Sequence, residues 1–320
     1  MAAQPLPVLE PNLQISFYYR LQGVRRLHLQ DALRDTVSGL DIQTIDGQLG
    51  TYVERAALQR AASFGLRGEL FFPVPIVIRA NPFLLGYYRL LLGVSQKEFY
   101  NKGPFGRFKC LEESGTITQR LEPRIDELCR CLIGSAEKLV VGLDVLSPQI
   151  VHELQLLTIG PQFRGSENTR IGQVASKEAY DLISSVADRY IIERTDKTMV
   201  LRNDSGRTVL IEFFADPDVR ITEQLPSSVR PTLSIEIKGG TDASNIHNRI
   251  GEAEKSHQKA QRQGFREFWT IIRVDLDEAV ARRESPTTSR FFHLDRITDV
   301  NTSEHGEFRD LLASMIGIQS

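Results

Sequence analysis

The run Thr232–Lys238, TLSIEIK, constrains the fold more than any other part of the chain. It alternates strictly, and alternate residues of a strand face opposite sides of a sheet. Leu233, Ile235 and Ile237 therefore face a core, while Ser234, Glu236 and Lys238 face the other way. A carboxylate and an ammonium thus project side by side at the end of a hydrophobic strand. Gly239 and Gly240 follow, and a backbone without side chains admits a close approach. From about Ser244 to Gln263 the pattern is helical, and Phe268–Val274, FWTIIRV, is another strand. A strand, a crossover helix and a second strand predict a parallel pair.

Upstream, Val174 to about Ile192 reads as a helix with Ala179, Leu182, Ile183, Val186 and Tyr190 on one face. Met199–Leu201 and Val209–Phe214 are β-rich runs separated by the turn NDSGR. Asp218–Thr222 alternates again, with Val219 and Ile221 inward and Asp218 and Arg220 outward. The expectation is an α/β protein with an αβββαβ core. Short turns join its first strands and a crossover helix its last, so a mixed sheet with helices on both faces is expected.

The first half reads as mainly helical. Ile125, Leu128, Cys129, Leu132, Ala136, Leu139 and Val140 recur at steps of three and four. Phe71–Phe83, FFPVPIVIRANPF, carries three prolines and reads as extended and edge-like. Thr158–Gly172 is rich in Gly, Pro, Ser and Asn and reads as a loop at a soft boundary. A chain of 320 residues suits about two domains, here residues 1–165, mainly helical, and 166–320, the sheet-bearing core.

Lys+Arg 39 against Asp+Glu 41 leaves a net charge of −2, which excludes a polybasic protein held to nucleic acid by bulk charge but not a local patch. Cys110, Cys129 and Cys131 form no disulfide framework and no CxxC pair, and there is no HExxH among the six histidines. The first residues lack a basic start followed by an apolar run, and the apolar stretch Pro82–Val94 is interrupted by Arg89 and too short to span a bilayer. A reducing cytoplasmic location without membrane attachment is expected. No P-loop is present in the sequence.

If the strands bearing Asp218 and Glu236 pair, the two carboxylates can converge on one hard cation such as Mg²⁺, which takes oxygen ligands and retains water. Lys238 beside them can orient or help deprotonate an attacking water and stabilise charge on a phosphate. An E-x-K on a strand is by itself more often a solvated ion pair. Pro217-Asp218 followed 18 positions later by Glu236-Ile237-Lys238, with the Gly-Gly exit and the element order, shifts that balance.

These residues resemble the PD-(D/E)xK nuclease superfamily over about Val174–Val274. More narrowly, Phe83–Phe108, FLLGYYRLLLGVSQKEFYNKGPFGRF, and Glu236–Ala260, EIKGGTDASNIHNRIGEAEKSHQKA, resemble type II restriction endonucleases of the XcyI kind, whose members cut CCCGGG. The resemblance implies Mg²⁺-dependent hydrolysis of DNA leaving 5′-phosphates, a homodimer on palindromic duplex DNA, and a cognate DNA methyltransferase in the same system. It makes Asp218 and Glu236 metal ligands and Lys238 the catalytic lysine. Asp216 also flanks Pro217, but Asp218 enters the strand. Another PD-(D/E)xK nuclease for repair or junction resolution, or a non-catalytic DNA-binding protein of the same fold, are the alternatives.

Glu178 and Glu212 are auxiliary candidates for the metal site; a glutamate near a helix start also suits the macrodipole, and Glu212 also reads as an edge-facing charge. On the helix after the site, Ile246, Ile250, Ala253, His257 and Ala260 fall on one stripe, so His257 reads as packed and not catalytic. The opposite face carries Asn245, Asn248, Arg249, Glu252, Lys255, Ser256 and Lys259. Asn, Arg, Glu and Lys are base- and phosphate-contacting types, and the repulsive Lys255–Lys259 spacing favours a polyanionic partner over a bare solvated face. His247, Gly160–Arg164, Arg170, and Tyr87, Tyr88 and Arg89 with Lys97 and Lys102 are further candidate DNA contacts, each with an ordinary structural alternative.

Overall fold

The computed structural model describes residues 11–242 and 245–319. Ser244, the expected start of the helix after the site, and most of the N-terminal stretch searched for a leader lie outside them. The chain divides into two compact units, residues 1–165 and 166–320.

The first unit contains α1 (Asn12–His28), α2 (Gln30–Ser38), α3 (Ile42–Tyr52), α4 (Arg55–Ser63), α5 (Pro75–Ala80), α6 (Leu84–Leu91), α7 (Lys109–Ser114) and α8 (Ile125–Gly142). Phe71–Phe83 is not the extended edge expected from its prolines. Pro75 occupies the first turn of α5, where the missing N–H has no partner to lose and the fixed φ already suits a helix. Phe71, Phe72, Val74, Val77 and Ile78 are all buried.

In the last turn of α6, Arg89 forms a buried ion pair with Glu112 of α7. Arg89 and Glu112 are each 2% exposed. Arg89 Nε and Nη2 donate to the two Glu112 oxygens at 2.8 and 2.7 Å, and Nη1 donates to the Val94 carbonyl at 2.6 Å. Tyr100 and Gln96 also donate to Glu112. Burial pushes the Glu112 carboxyl up, but the Arg89 fork outweighs it and holds the group below its ordinary value. Tyr87 and Tyr88 are buried, with their hydroxyls on the Leu70 and Glu69 carbonyls. The candidate DNA contacts at Tyr87, Tyr88 and Arg89 are therefore core groups whose polar atoms are already engaged.

Helix α9 (Pro148–Ala187) runs without interruption through Thr158–Gly172, the stretch expected to be a loop. Pro161 removes one donor from its ladder. Burial offsets that loss: Ile159 and Phe163 join a cluster with Leu29 and Leu90, and Ala175, Ala179 and Ile183 are buried in the second unit's core. Gly160–Arg164 and Arg170 are thus helical, and Arg170 pairs with Glu167 at 2.6 Å.

The second unit is built on β1 (Ile191–Arg194), β2 (Thr198–Arg202), β3 (Thr208–Phe213), β4 (Val219–Gln224) and β5 (Val229–Lys238), then α10 (Ile246–Arg262), β6 (Glu267–Ile272), α11 (Glu278–Glu284), β7 (Arg290–His293), α12 (Leu294–Thr298) and α13 (Ser303–Ile316). Among the described residues the sheet has seven strands in chain order. β1–β5 form an antiparallel meander, and β6 and β7 add in parallel. The protein is α/β with a mixed sheet, longer by β1 and β7 than the sequence pattern suggested. Val219, Ile221, Leu233, Ile235, Ile237, Trp269 and Ile271 pack with Ala179 and Ile183 of α9 and Phe308 and Leu312 of α13. On the opposite face, α10 lies against β5 and β6: His257 bonds Thr270, and Ile250 packs with Ile272. Among the described residues no helix is long and apolar enough to cross a membrane.

Replacing Arg89 with Met should remove about 3–5 kcal/mol of unfolding free energy, because it leaves Glu112 buried without its cation. Urea denaturation measures this. The double variant Arg89→Met/Glu112→Leu should lose less, since no lone charge remains inside.

Candidate active site

The site forms where β4 begins and β5 ends. Val219 pairs with Ile235 in the antiparallel register, so Asp218, the residue before β4, comes level with Glu236. Register is set by the apolar half of both strands, because a one-residue slip would exchange the buried and polar faces. The Ile237 N–H donates to Asp218 Oδ2 at 2.7 Å and fixes that carboxylate. Glu236 is 2% exposed. Lys238 Nζ donates to Glu236 Oε2 at 2.6 Å. The second oxygen, Glu236 Oε1, is buried and accepts no hydrogen bond among the described residues.

The electrostatics follow from this crowding. Burial first, then the Asp218 charge, push the Glu236 carboxyl up to about 7 in spite of Lys238. Burial raises Asp218 as well, against the Ile237 N–H and the Lys238 charge. Burial alone would lower Lys238, but the Glu236 carboxylate outweighs it and leaves the ammonium above its ordinary value. Two acids sharing one buried place hold more negative charge than a single lysine neutralises comfortably. Their oxygens, one without a partner, have the donor chemistry of a hard divalent cation site. Among the described residues no group of three His, Cys, Asp or Glu comes together as a metal cage, so a cation held here would draw most of its shell from water or substrate.

The structure brings Asp218, Glu236 and Lys238 together and leaves the other candidate acids out. Glu178 forms an ion pair with Arg273, which also holds Asp295 at 2.9 Å. Glu212 sits on β3 opposite Arg220 in register. Neither joins Asp218 and Glu236 in a metal-holding group. Asp216 is exposed and takes a 2.6 Å contact from Lys259 Nζ; it lies near enough for its charge to help raise Asp218, but its partner is Lys259.

Helix α10 divides as its sequence divides. Ile246, Ile250, Ala253, His257 and Ala260 are buried, and Asn245, Asn248, Glu252, Lys255 and Lys259 are exposed. Asn248 Nδ2 donates to Asn245 Oδ1 at 2.8 Å. Glu252 lies close enough to Lys238 to help keep it charged. Arg249 is half-buried. His257 is a packed residue: its Nε2 bonds Thr270 Oγ1 at 2.9 Å, and burial pushes its pKa down to about 4. His247 is exposed and bonded to Glu284 at 2.8 Å.

The sequence reasoning missed two features. Arg220 lies on the polar face of β4 opposite Ser234, with its guanidinium 4.1 Å from the Phe214 ring centre and Nε buried without a partner; the alternation that placed Asp218 outward also marked it. Glu254 accepts from Ser285, Gln258 and the backbone and hydroxyl of Thr287. Ser285 and Thr288 link that carboxylate through Thr270 to His257. These partners lie up to 33 residues away, and no local pattern announces them.

With EDTA present, Glu236 keeps its proton up to about 7, against an ordinary value of 4.5. Between those values the folded state binds more protons than the unfolded state, so stability should fall as pH rises through the window. Urea denaturation at a series of pH values should show that fall, and Glu236→Gln should flatten it. An unchanged slope in the variant would assign the pH dependence to other groups.

Comparison with known proteins identifies the setting of this site. The profile of the XcyI restriction endonuclease family matches residues 18–319. The type II restriction enzyme Cfr9I of Citrobacter freundii is 43% identical over 316 residues, covering 97% of this chain and 95% of that enzyme. The type II restriction enzyme XcyI of Xanthomonas campestris pv. cyanopsidis is 42% identical over 315 residues, covering 96% and 95%. The likeness read from Phe83–Phe108 and Glu236–Ala260 therefore extends over nearly the whole length: the chain belongs to the XcyI restriction endonuclease family.

Proposed function

We propose that this type II restriction endonuclease hydrolyses duplex DNA within CCCGGG, using a PD-(D/E)xK site in which Asp218 and Glu236 hold Mg²⁺ and Lys238 is the catalytic lysine. The observation that carries the site assignment is the buried Glu236 carboxylate, level with Asp218 through the Val219–Ile235 register and 2.6 Å from Lys238. Site-specific DNA cleavage follows from the family.

The chain's own groups have distinct parts. Asp218 is oriented by the Ile237 N–H, and its carboxylate would ligate the cation together with that of Glu236. Glu236 offers Oε1, which no protein donor occupies among the described residues. When bound, Mg²⁺ supplies charge neutralisation at the scissile phosphate and a lowered pKa for an attacking water. Lys238 stands above its ordinary pKa beside Glu236, so at neutral pH it is an ammonium. It acts as a donor that orients the water and stabilises the charge growing on the phosphate oxygens, not as the base. The water oxygen bonds to phosphorus as the bond to the 3′-oxygen breaks; the proton lost by the water passes to solvent and solvent returns one to the leaving oxygen, so the products are a 5′-phosphate and a 3′-hydroxyl. A palindromic target presents the same half-site twice, which suits a two-fold dimer with one cut per subunit. A methyltransferase of the same specificity would protect the host's DNA, and both enzymes would then work in the cytoplasm.

A supercoiled plasmid carrying CCCGGG, incubated with Mg²⁺, should yield discrete linear fragments with 5′-phosphates, and EDTA should prevent cutting. End sequencing reads the position. Lys238→Ala should lower the cutting rate by on the order of a hundredfold to a thousandfold or more, as loss of a transition-state donor does, while DNA binding persists. Structure-selective nicks without fixed fragments would point instead to a repair or junction nuclease.

A further inference from the structure

We propose that Arg249 grips a DNA phosphate next to the cleavage site and does not read a base edge. This inference rests on the Asp218–Glu236–Lys238 assignment and adds a substrate contact to it.

The two glycines after Lys238 are both occupied by neighbours. A Cβ on Gly239 would fall 2.0 Å from the Ala175 Cβ of α9. A Cβ on Gly240 would fall 1.7 Å from Arg249 Nη1 and 2.1 Å from Cζ. Gly240 is therefore the seat of the Arg249 guanidinium, two residues beyond the lysine that ends β5. Seen from the sequence, the Gly-Gly pair only permitted a close approach; the structure shows that what approaches on one side is a cation.

That cation is incompletely paired. Arg249 Nη1 is buried and has no hydrogen-bond partner among the described residues. A charged donor left without an acceptor inside a protein is costly, and a small shift of the guanidinium off Gly240 onto an anionic oxygen would relieve that cost with a short, charge-assisted bond. A guanine reader must present an open fork to O6 and N7. Nη1, Cζ and Nη2 of Arg249 all lie within 2.3 Å of where a Gly240 Cβ would fall, so the Nη1–Nη2 fork is not held open for a base edge, whereas a phosphate oxygen needs only one donor. Lys238 Nζ is already engaged by Glu236, so a second cation close to the strand end has a distinct task. It holds the phosphodiester while Lys238 works beside the reacting atoms.

Base readers and phosphate clamps respond differently to mutation, and this separates them. Binding is measured in the Lys238→Ala background, on a short duplex carrying the site found by plasmid digestion and on duplexes with one base pair changed. Adding Arg249→Gln should weaken all of them by the same factor and lower the salt slope of binding by about 1. In the otherwise native enzyme, Arg249→Gln should cut the true and altered sites more slowly by one common factor. Gly240→Ala, whose methyl takes the guanidinium's seat, should slow cutting in the same uniform way. A methylphosphonate at the clamped phosphate should slow the native enzyme but add nothing to the loss in Arg249→Gln. Relaxed discrimination with an unchanged salt slope would make Arg249 a base reader and overturn the proposal. Unchanged binding and cutting in a variant with native thermal stability would overturn it as well. If Lys238→Ala itself still cuts, the underlying site assignment fails, and that result is read independently of Arg249.

Discussion

Everything distinctive in the second unit depends on one register. Val219 opposite Ile235 brings the residue before one strand level with the penultimate polar residue of the next. Neither Asp218 nor Glu236 selects that alignment; left alone, two carboxylates would separate. The alignment is imposed from the other face of the sheet, where Val219, Ile221, Leu233, Ile235 and Ile237 are buried against α9 and α13. Each such side chain contributes about 1.5–3 kcal/mol when removed from water. A slip that relieved the acid pair would expose the whole set, so the hydrophobic face holds the polar face in a crowded arrangement.

A second constraint fixes what lies above the acids. Helix α10 is held to β6 and the 285–288 turn through Glu254, Ser285, Thr287, Thr288, Thr270 and His257. Thr270 stands beside Glu236 in the parallel register. Burial keeps His257 neutral, with its pKa pushed down to about 4, so the contact between helix and sheet stays uncharged throughout the neutral range. The exposed face of α10 is thereby presented from a fixed base, and polar networks of this kind give positional definition more than stability.

The parts of this arrangement governed by local periodicity were legible in the sequence. TLSIEIK and DVRIT alternate, and the apolar stripe of α10 recurs at helical spacing; both are read without knowing any partner. The continuation of α9 through Gly160, Pro161 and Gly172 was not legible. Composition there favours a turn, and the helix persists because Ile159 and Phe163 on one side and Ala175 and Ala179 on the other find buried partners distant in sequence. Pro75 was misread for a related reason: a proline ends a helix or begins one according to the residues on its C-terminal side. Arg89 and Glu178 carried charge that suggested function, but Glu112 and Arg273 absorb it, and an ion partner 23 or 95 residues away leaves no mark on the local pattern.

The distribution of unsatisfied polar atoms supports a functional reading of the strand end. Buried donors and acceptors are paired almost everywhere in folded proteins, and the Arg89–Glu112 pair illustrates this with every carboxylate oxygen engaged. The exceptions among the described residues are nine side-chain atoms. Glu223 Oε2 is one of them, and it meets Arg230 as an ion pair. Five of the others, on Arg220, Ser234, Glu236, Arg249 and His257, belong to β4, β5 and α10. They include a carboxylate oxygen and two arginine nitrogens, and none of them is hydrogen-bonded to another. A cation would take the oxygen of Glu236, and a phosphate the Arg249 nitrogen. On the proposed reading, the strand end keeps these atoms unpaired at a stability cost that a cation and a phosphate would relieve, whereas the Arg89–Glu112 pair of the helical unit is fully engaged within that unit, where Glu69 and Gln155 each keep one unpaired oxygen.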